Sequence, residues 1–181
     1  MKTKTKGIRD RLILKILNGM LKLHSRVYTN KRVSWGIKRE ELIACPPKSL
    51  GNELGKFLLK ENFHSIPMIE RHDVFHLLFG FNTQTKDEVA MLCFLVGNGK
   101  VTLFTTLSAI GAVLVYPERL PYFIYHFHRG RNALNVSKWD FRPFLNENMK
   151  EVRDAIFLKR VPYSSVLNKI KVELSRSSYQ N

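Results

Sequence analysis

The longest uncharged stretch of the chain, Val101 to Pro117, is 17 residues long and ends in a proline. That length is at the short limit for a helix that crosses a bilayer, and Thr and Ser are scattered through it. The expected place for such an element is inside a protein core. Its β-branched residues leave strand or buried helix open by periodicity alone, and its length favours the helix. The 181 residues are enough for one domain with a core around that helix, and too few for two of ordinary size. Few segments alternate with period two and no repeats occur. The expected class is therefore all-α, a single mostly helical domain.

Charge divides the chain into three parts. The formal net charge is +15. Residues 1–39 hold 12 basic residues and only Asp10, a net of +11. Residues 158–181 hold Lys159, Arg160, Lys169, Lys171 and Arg176 against Glu173, a net of +4. Residues 40–157 have 13 basic and 13 acidic residues and are neutral. A nucleic-acid module would carry its positive charge on the folded body, so nucleic acid is disfavoured as a partner. The expected organisation is a basic N-terminal arm (1–45), a helical domain (46–158) and a basic C-terminal tail (159–181).

Within the arm, Ile8, Leu12, Ile13, Ile16, Leu17 and Met20 recur at helical spacing, with Arg9, Arg11, Lys15 and Lys22 mostly off that face. Such a basic amphipathic helix either docks on the core or lies on an anionic membrane surface. Lys15 interrupts the apolar run and no small-residue cleavage site follows, so the segment does not read as a secretory signal. Cys45 and Cys93 are too few for a disulfide scaffold and fit a reducing compartment.

Along the body, Pro46-Pro47 marks a connector. Ser49 to Phe63 reads as a helix that Gly51 and Gly55 weaken. Pro67 suits the first turn of a helix over Met68 to Phe79, with Gly80 as its stop. Thr85-Lys86-Asp87-Glu88 has the pattern of a capping box before the apolar run Val89 to Val96, which Gly97-Asn98-Gly99 ends. Pro117 opens a segment to about His128 that Arg129-Gly130-Arg131 breaks. Residues 140–158 read as the last regular helix.

The chemistry-bearing stretch is Arg71-His72-Asp73-Val74-Phe75-His76, followed by Glu88. On a helix, His72 and His76 project about 40° apart and one turn along, and Asp73 about 60° from His76. Paired imidazoles at i and i+4 are the usual helical grip on a divalent metal. Asp73 suits a third ligand or an acceptor that fixes an imidazole. Glu88 begins the next helix across a short turn. Each residue also has a purely structural reading: a packed His pair, an Arg71–Asp73 ion pair, and Glu88 as the acidic arm of the capping box. The apolar neighbours Val74, Phe75, Leu77, Leu78 and Phe79 must be largely buried, and polar groups among them need partners.

His72-Asp73-x-x-His76, eleven residues and Glu88 together resemble the metal motif of the ubiquinone (coenzyme Q) biosynthesis protein four family. Ser49-Leu50-Gly51 with Phe57-Leu58 is similar to that family's opening helix. Gly80 and Thr83 fit its turn, with Phe81 and Asn82 replacing Met and Pro. Gly130-Arg131-Asn132-Ala133 is similar to its Gly-Arg-Arg-Ala segment, and Trp139 to a tryptophan shortly after it. The match spans roughly 46–158, the neutral body.

The resemblance implies a mostly helical fold and a divalent metal, zinc first with magnesium or iron as alternatives, held by His72, Asp73, His76 and Glu88. It implies a hydrophobic cavity for a prenylated quinone precursor or other isoprenoid lipid. It also implies a peripheral place on an anionic membrane surface, here the cytoplasmic inner face, with other quinone-biosynthesis proteins as partners and homo-oligomers admitted. The activity implied is oxidative removal of the carboxyl group at ring carbon one, or organisation of the biosynthetic complex. The basic arm and the Gly97-Asn98-Gly99-Lys100 loop depart from the family pattern and point to a divergent branch.

Other features are less specific. His126 and His128 point about 160° apart on a helix and do not suit one ion. Tyr116, Tyr122, Phe123, Tyr125 and Phe127 read as core, with a prenyl-tail wall as the alternative. Arg129 and Arg131, placed in a loop, are candidates for an anionic substrate group. Three further readings compete: a non-catalytic prenyl-lipid scaffold, a His-Asp phosphohydrolase, which wants a separate upstream His and a distant Asp, and nucleic-acid binding through the basic ends.

Overall fold

The computed structural model describes residues 7–9, 11, 15, 35–62, 70–158 and 165–178. All regular elements among them are helical, as the sequence predicts. They are α1 (Arg39–Ile43), α2 (Leu50–Lys60), α3 (Glu70–Phe79), α4 (Thr85–Gly97), α5 (Leu103–Val115), α6 (Leu120–Arg131), α7 (Met149–Ile156) and α8 (Ser165–Ser178). Short 3-10 turns lie at Pro117–Arg119 and Arg142–Phe144, and one antiparallel bridge joins Ser49 to Asn148. Most of the expected amphipathic helix at 8–23, and Pro67 and Met68, lie outside the described residues. Among those described, no helix is long and apolar enough to cross a membrane.

The chain forms two compact units, one from residues 33–81 and 132–181, the other from residues 1–32 and 82–131. The first contains α1, α2, α3, α7 and α8. Ser49 caps α2 by accepting from the Asn52 N–H at 3.2 Å. Leu50, Leu54 and Leu58, one turn apart, are all buried. Gly51 is needed for close approach: a Cβ there would come within 2.7 Å of Cys45 Sγ and 2.9 Å of the Leu145 carbonyl oxygen. The residue that weakens the helix by propensity is thus the one that lets it pack. Asn52 Nδ2 ties the helix back to the Ile43 carbonyl at 2.6 Å.

Aromatic rings fill this core. Trp139 stacks on Phe144 with centroids 5.8 Å apart, and Phe75 meets Phe141 edge-on at 5.8 Å. Arg71 on α3 donates to the carbonyls of Val136 and Ser137, and Arg153 on α7 to those of Leu77 and Leu78. These two arginines hold α3 by its flanking backbone. Residues 140–158 are not one helix: Pro143 opens a 3-10 turn, and α7 begins at its cap Asn148, which accepts from Lys150 N and Glu151 N. Nor is α7 the last helix. Within the segment expected as a tail, α8 buries Val166, Ile170 and Glu173. Glu173 accepts from the Asp140 N–H at 3.2 Å and pairs with Arg176 at 2.9 Å.

In the second unit α4 packs most extensively on α6. Their backbones meet at two glycines. A Cβ on Gly97 would lie 2.1 Å from the Phe127 oxygen, and one on Gly130 would lie 2.1 Å from the Phe94 oxygen. Gly130 therefore does not break the helix at 129–131, as its sequence suggests. It sits inside α6, where absence of a side chain permits contact. Asn98 Nδ2 seals the crossing by donating to the Gly130 carbonyl at 3.1 Å.

Two further expectations change here. Thr85 lies inside α4, whose cap is Gln84, so the Thr85–Glu88 capping box does not form. A capping box does form at α5, where Thr102 and Thr105 bond reciprocally. Nor is α5 fully buried. Thr105, Ser108, Ala109 and Ala112 face protein, while Leu103, Leu107, Ile110 and Leu114 are exposed.

Candidate metal centre

The site begins with the end of α3. Gly80 adopts φ +72°, a left-handed conformation that suits glycine and ends the helix. The turn brings the Phe81 N–H onto the His76 carbonyl at 3.0 Å. The Phe81 carbonyl then lies 3.2 Å from His76 Nδ1. A carbonyl oxygen can only accept, so Nδ1 carries a proton, and in the neutral ring that leaves Nε2 with its lone pair. Phe81 itself is buried and cannot drift from this position without opening the core.

His76 Nε2 faces His72 Nε2 at 3.1 Å, with the rings 81° apart. Two zinc–nitrogen bonds of about 2.05 Å at a tetrahedral angle would set their nitrogens roughly 3.3 Å apart. The pair thus has the bite of two ligands on one ion. His76 is 4% exposed and stacks on Phe57, centroids 5.8 Å apart. His72 is half-buried, which leaves an approach from one side. The fixed tautomer, the close nitrogens and the second bond from Nδ1 to a carbonyl all fit a divalent cation.

Asp73 is buried in the same helix, one residue after His72. Glu88 stands in the first turn of α4, half-buried, with its N–H on the Gln84 carbonyl at 3.0 Å. The neighbouring Asp87 is structural. It is 3% exposed and accepts from Tyr122 Oη at 2.9 Å and Asn82 Nδ2 at 3.0 Å. Burial and this bond push the Tyr122 hydroxyl up to about 12.

Arg129 and Arg131 lie in the last turn of α6, not in a loop. The Arg129 guanidinium sits 5.7 Å from the centre of the Phe94 ring, and Arg131 is exposed. His126 is buried and His128 exposed, so the two point apart as their spacing predicts. Burial, then the Arg129 charge, pulls His126 down to about 4. Of the aromatic stretch, Tyr116 and Phe123 are core, whereas Tyr122 and Tyr125 are exposed. Sequence reasoning missed Phe81 and Phe57 as supports of the His pair. The signal available for Phe81 was its place just after the helix-ending Gly80.

No protein-family model and no curated protein sequence matches the chain. Among solved structures, the fold is similar to that of a protein from Nostoc punctiforme assigned to ubiquinone biosynthesis. The identity is 12%, the TM-score 0.54, and the likeness covers 82% of each chain. The chain therefore shares its helical fold with that protein.

Proposed function

We propose that this chain is a metal-binding protein of quinone biosynthesis. In this reading His72 and His76 hold a divalent cation, zinc first, and Asp73 and Glu88 are the carboxylates that the sequence motif adds to them. The observation that carries the reading is the His76 ring, held by Phe81 so that its Nε2 lone pair faces His72 Nε2 at 3.1 Å. The fold shared with a protein assigned to ubiquinone biosynthesis supports the pathway.

The substrate class is a prenylated hydroxybenzoate-type precursor, and the reaction class is oxidative removal of its carboxyl group at ring carbon one as carbon dioxide, with a two-electron oxidant supplied from outside the chain. A bound divalent cation supplies Lewis-acid stabilisation of a carboxylate. The chain's own residues do the rest. The Phe81 carbonyl keeps the His76 proton on Nδ1. The Phe57 ring covers one face of His76 and keeps water from it. Arg129 and Arg131 offer cations to the anionic group of the substrate. The protein works at a membrane surface, where its lipid substrate resides, with the basic arm toward anionic lipid.

A non-catalytic scaffold that only holds a prenylated lipid would have no need of the His pair for its action. Replacing His76→Ala separates the two. Loss of turnover with retention of bound lipid supports the enzyme, and loss of stability or assembly alone supports the scaffold. Metal analysis with mass spectrometry of co-purified lipid tests the shared premise. Purified protein with neither metal nor lipid contradicts both.

A further inference from the structure

α5 is amphipathic in reverse. Its buried face is made of small and weakly polar residues, with Thr105 at 6%, Ser108 at 3% and Ala112 at 1% exposure. Its large aliphatic side chains point out, with Leu103 80%, Leu107 51%, Ile110 52% and Leu114 74% exposed. Spacings of four, three and four put these on one stripe along the helix. The arrangement is well anchored. Thr102 and Thr105 close a capping box, and the Thr105 hydroxyl donates to the Lys100 carbonyl at 2.7 Å. Contiguous apolar surface of this kind on a folded protein marks an interaction site.

We propose that this stripe is the surface on which the protein rests against an anionic lipid bilayer. From Val101 to Tyr116 no side chain is charged, so the helix can enter the acyl boundary without desolvating an ion. Thirteen residues make a helix about 20 Å long, too short to cross a hydrocarbon core of about 30 Å, so it lies in the plane.

Charge complements the lipid. Lys100 precedes the helix and Arg119 follows it. Glu118, beside Arg119, is paired with Arg9 at 3.0 Å. That ion pair neutralises the acidic group near the end of the stripe. By sequence, residues 1–39 carry a net +11, which favours an anionic partner. Cations near a bilayer surface strengthen binding to anionic lipid. A second copy of the chain is the poorer occupant. A stable interface uses about 20–30 residues a side, and this stripe offers one row of four.

The inference deepens the peripheral placement proposed above and does not depend on the metal. It is tested on the full chain with vesicles of phosphatidylcholine mixed with phosphatidylglycerol, and of phosphatidylcholine alone. Wild type is expected to co-sediment with the mixed vesicles, and Leu107→Ser with Ile110→Ser to bind about tenfold more weakly or less. Both positions are more than half exposed, so the double variant keeps its helical circular dichroism. Ile110→Trp gives a second readout, a blue shift of emission on the mixed vesicles relative to wild type. His76→Ala binds vesicles as wild type does, which separates this claim from the metal claim. Unchanged vesicle binding by the double variant, or no blue shift for Ile110→Trp, overturns the proposal. So does a dimer that Leu107→Ser with Ile110→Ser dissociates while vesicle binding persists.

Discussion

Phe81 bonds His76 twice: its N–H donates to the His76 carbonyl at 3.0 Å, and its own carbonyl accepts from Nδ1 at 3.2 Å. One turn of backbone both ends α3 and sets the tautomer of the ring on which the proposed metal site depends. The left-handed Gly80 makes that turn, and a Cβ there would meet nothing within 4 Å. Gly80→Ala therefore carries a conformational cost and no steric one, about 1 kcal/mol. Thermal unfolding followed by circular dichroism is expected to show a fall in Tm of a few degrees. Metal affinity should weaken as well, since the Phe81 carbonyl moves with the turn. An unchanged Tm would show that the turn does not need glycine.

Gly130 is limited by space instead. A Cβ would lie 2.1 Å from the Phe94 carbonyl oxygen, an atom of backbone that cannot swing aside. Gly130→Ala is expected to force α4 and α6 apart and to cost about 1–3 kcal/mol or more. Urea denaturation measures this, and a neutral result would show that the two helices do not meet so closely.

Tyr122→Phe removes the hydroxyl that donates to buried Asp87 at 2.9 Å. Asn82 Nδ2 still bonds the other oxygen, so the carboxylate loses one of two donors. The expected loss is about 1–3 kcal/mol by the same denaturation experiment. Full stability in the variant would assign Asp87 to other partners.

His126 makes stability depend on acid. Its folded value, about 4, lies below its ordinary 6.5, so the folded state binds fewer protons than the unfolded state between those values. Stability from this residue is present above pH 6.5 and is lost as pH falls toward 4. Among the described residues, the groups around it include the Tyr122 and Tyr125 rings, the Arg129 cation, which opposes protonation, and Asp87, which favours it. A His126→Gln variant should lack this portion of the acid sensitivity. Identical pH profiles for variant and wild type would remove His126 as its source.

How legible all this was depends on what each residue's role rests on. Apolar spacing marked α2 and α3 well, because Leu50, Leu54 and Leu58 repeat once per turn and Gly80 sits where the chain must reverse. The i, i+4 relation of His72 and His76 follows from helix geometry alone, and their nitrogens do meet. Roles that rest on packing were not legible. Gly51 and Gly130 read as weak points because their use depends on neighbours distant in sequence, Leu145 and Phe94. Thr102 carries no capping-box signal in sequence, because its partner Thr105 is not Glu or Gln. The basic surface of α8 hid a helix whose buried residues, Val166, Ile170 and Glu173, lie among its charges. The uncharged α5 read as core because hydropathy does not reveal which face a fold covers.

The central claim is that His72 and His76 hold a metal ion. Its most direct measurement is elemental analysis of the protein after reconstitution with zinc and removal of excess, for wild type and His76→Ala. The account predicts about one equivalent of zinc in wild type and a loss of at least tenfold in affinity in the variant. Wild type that holds no zinc, or a variant that holds as much as wild type, would contradict it.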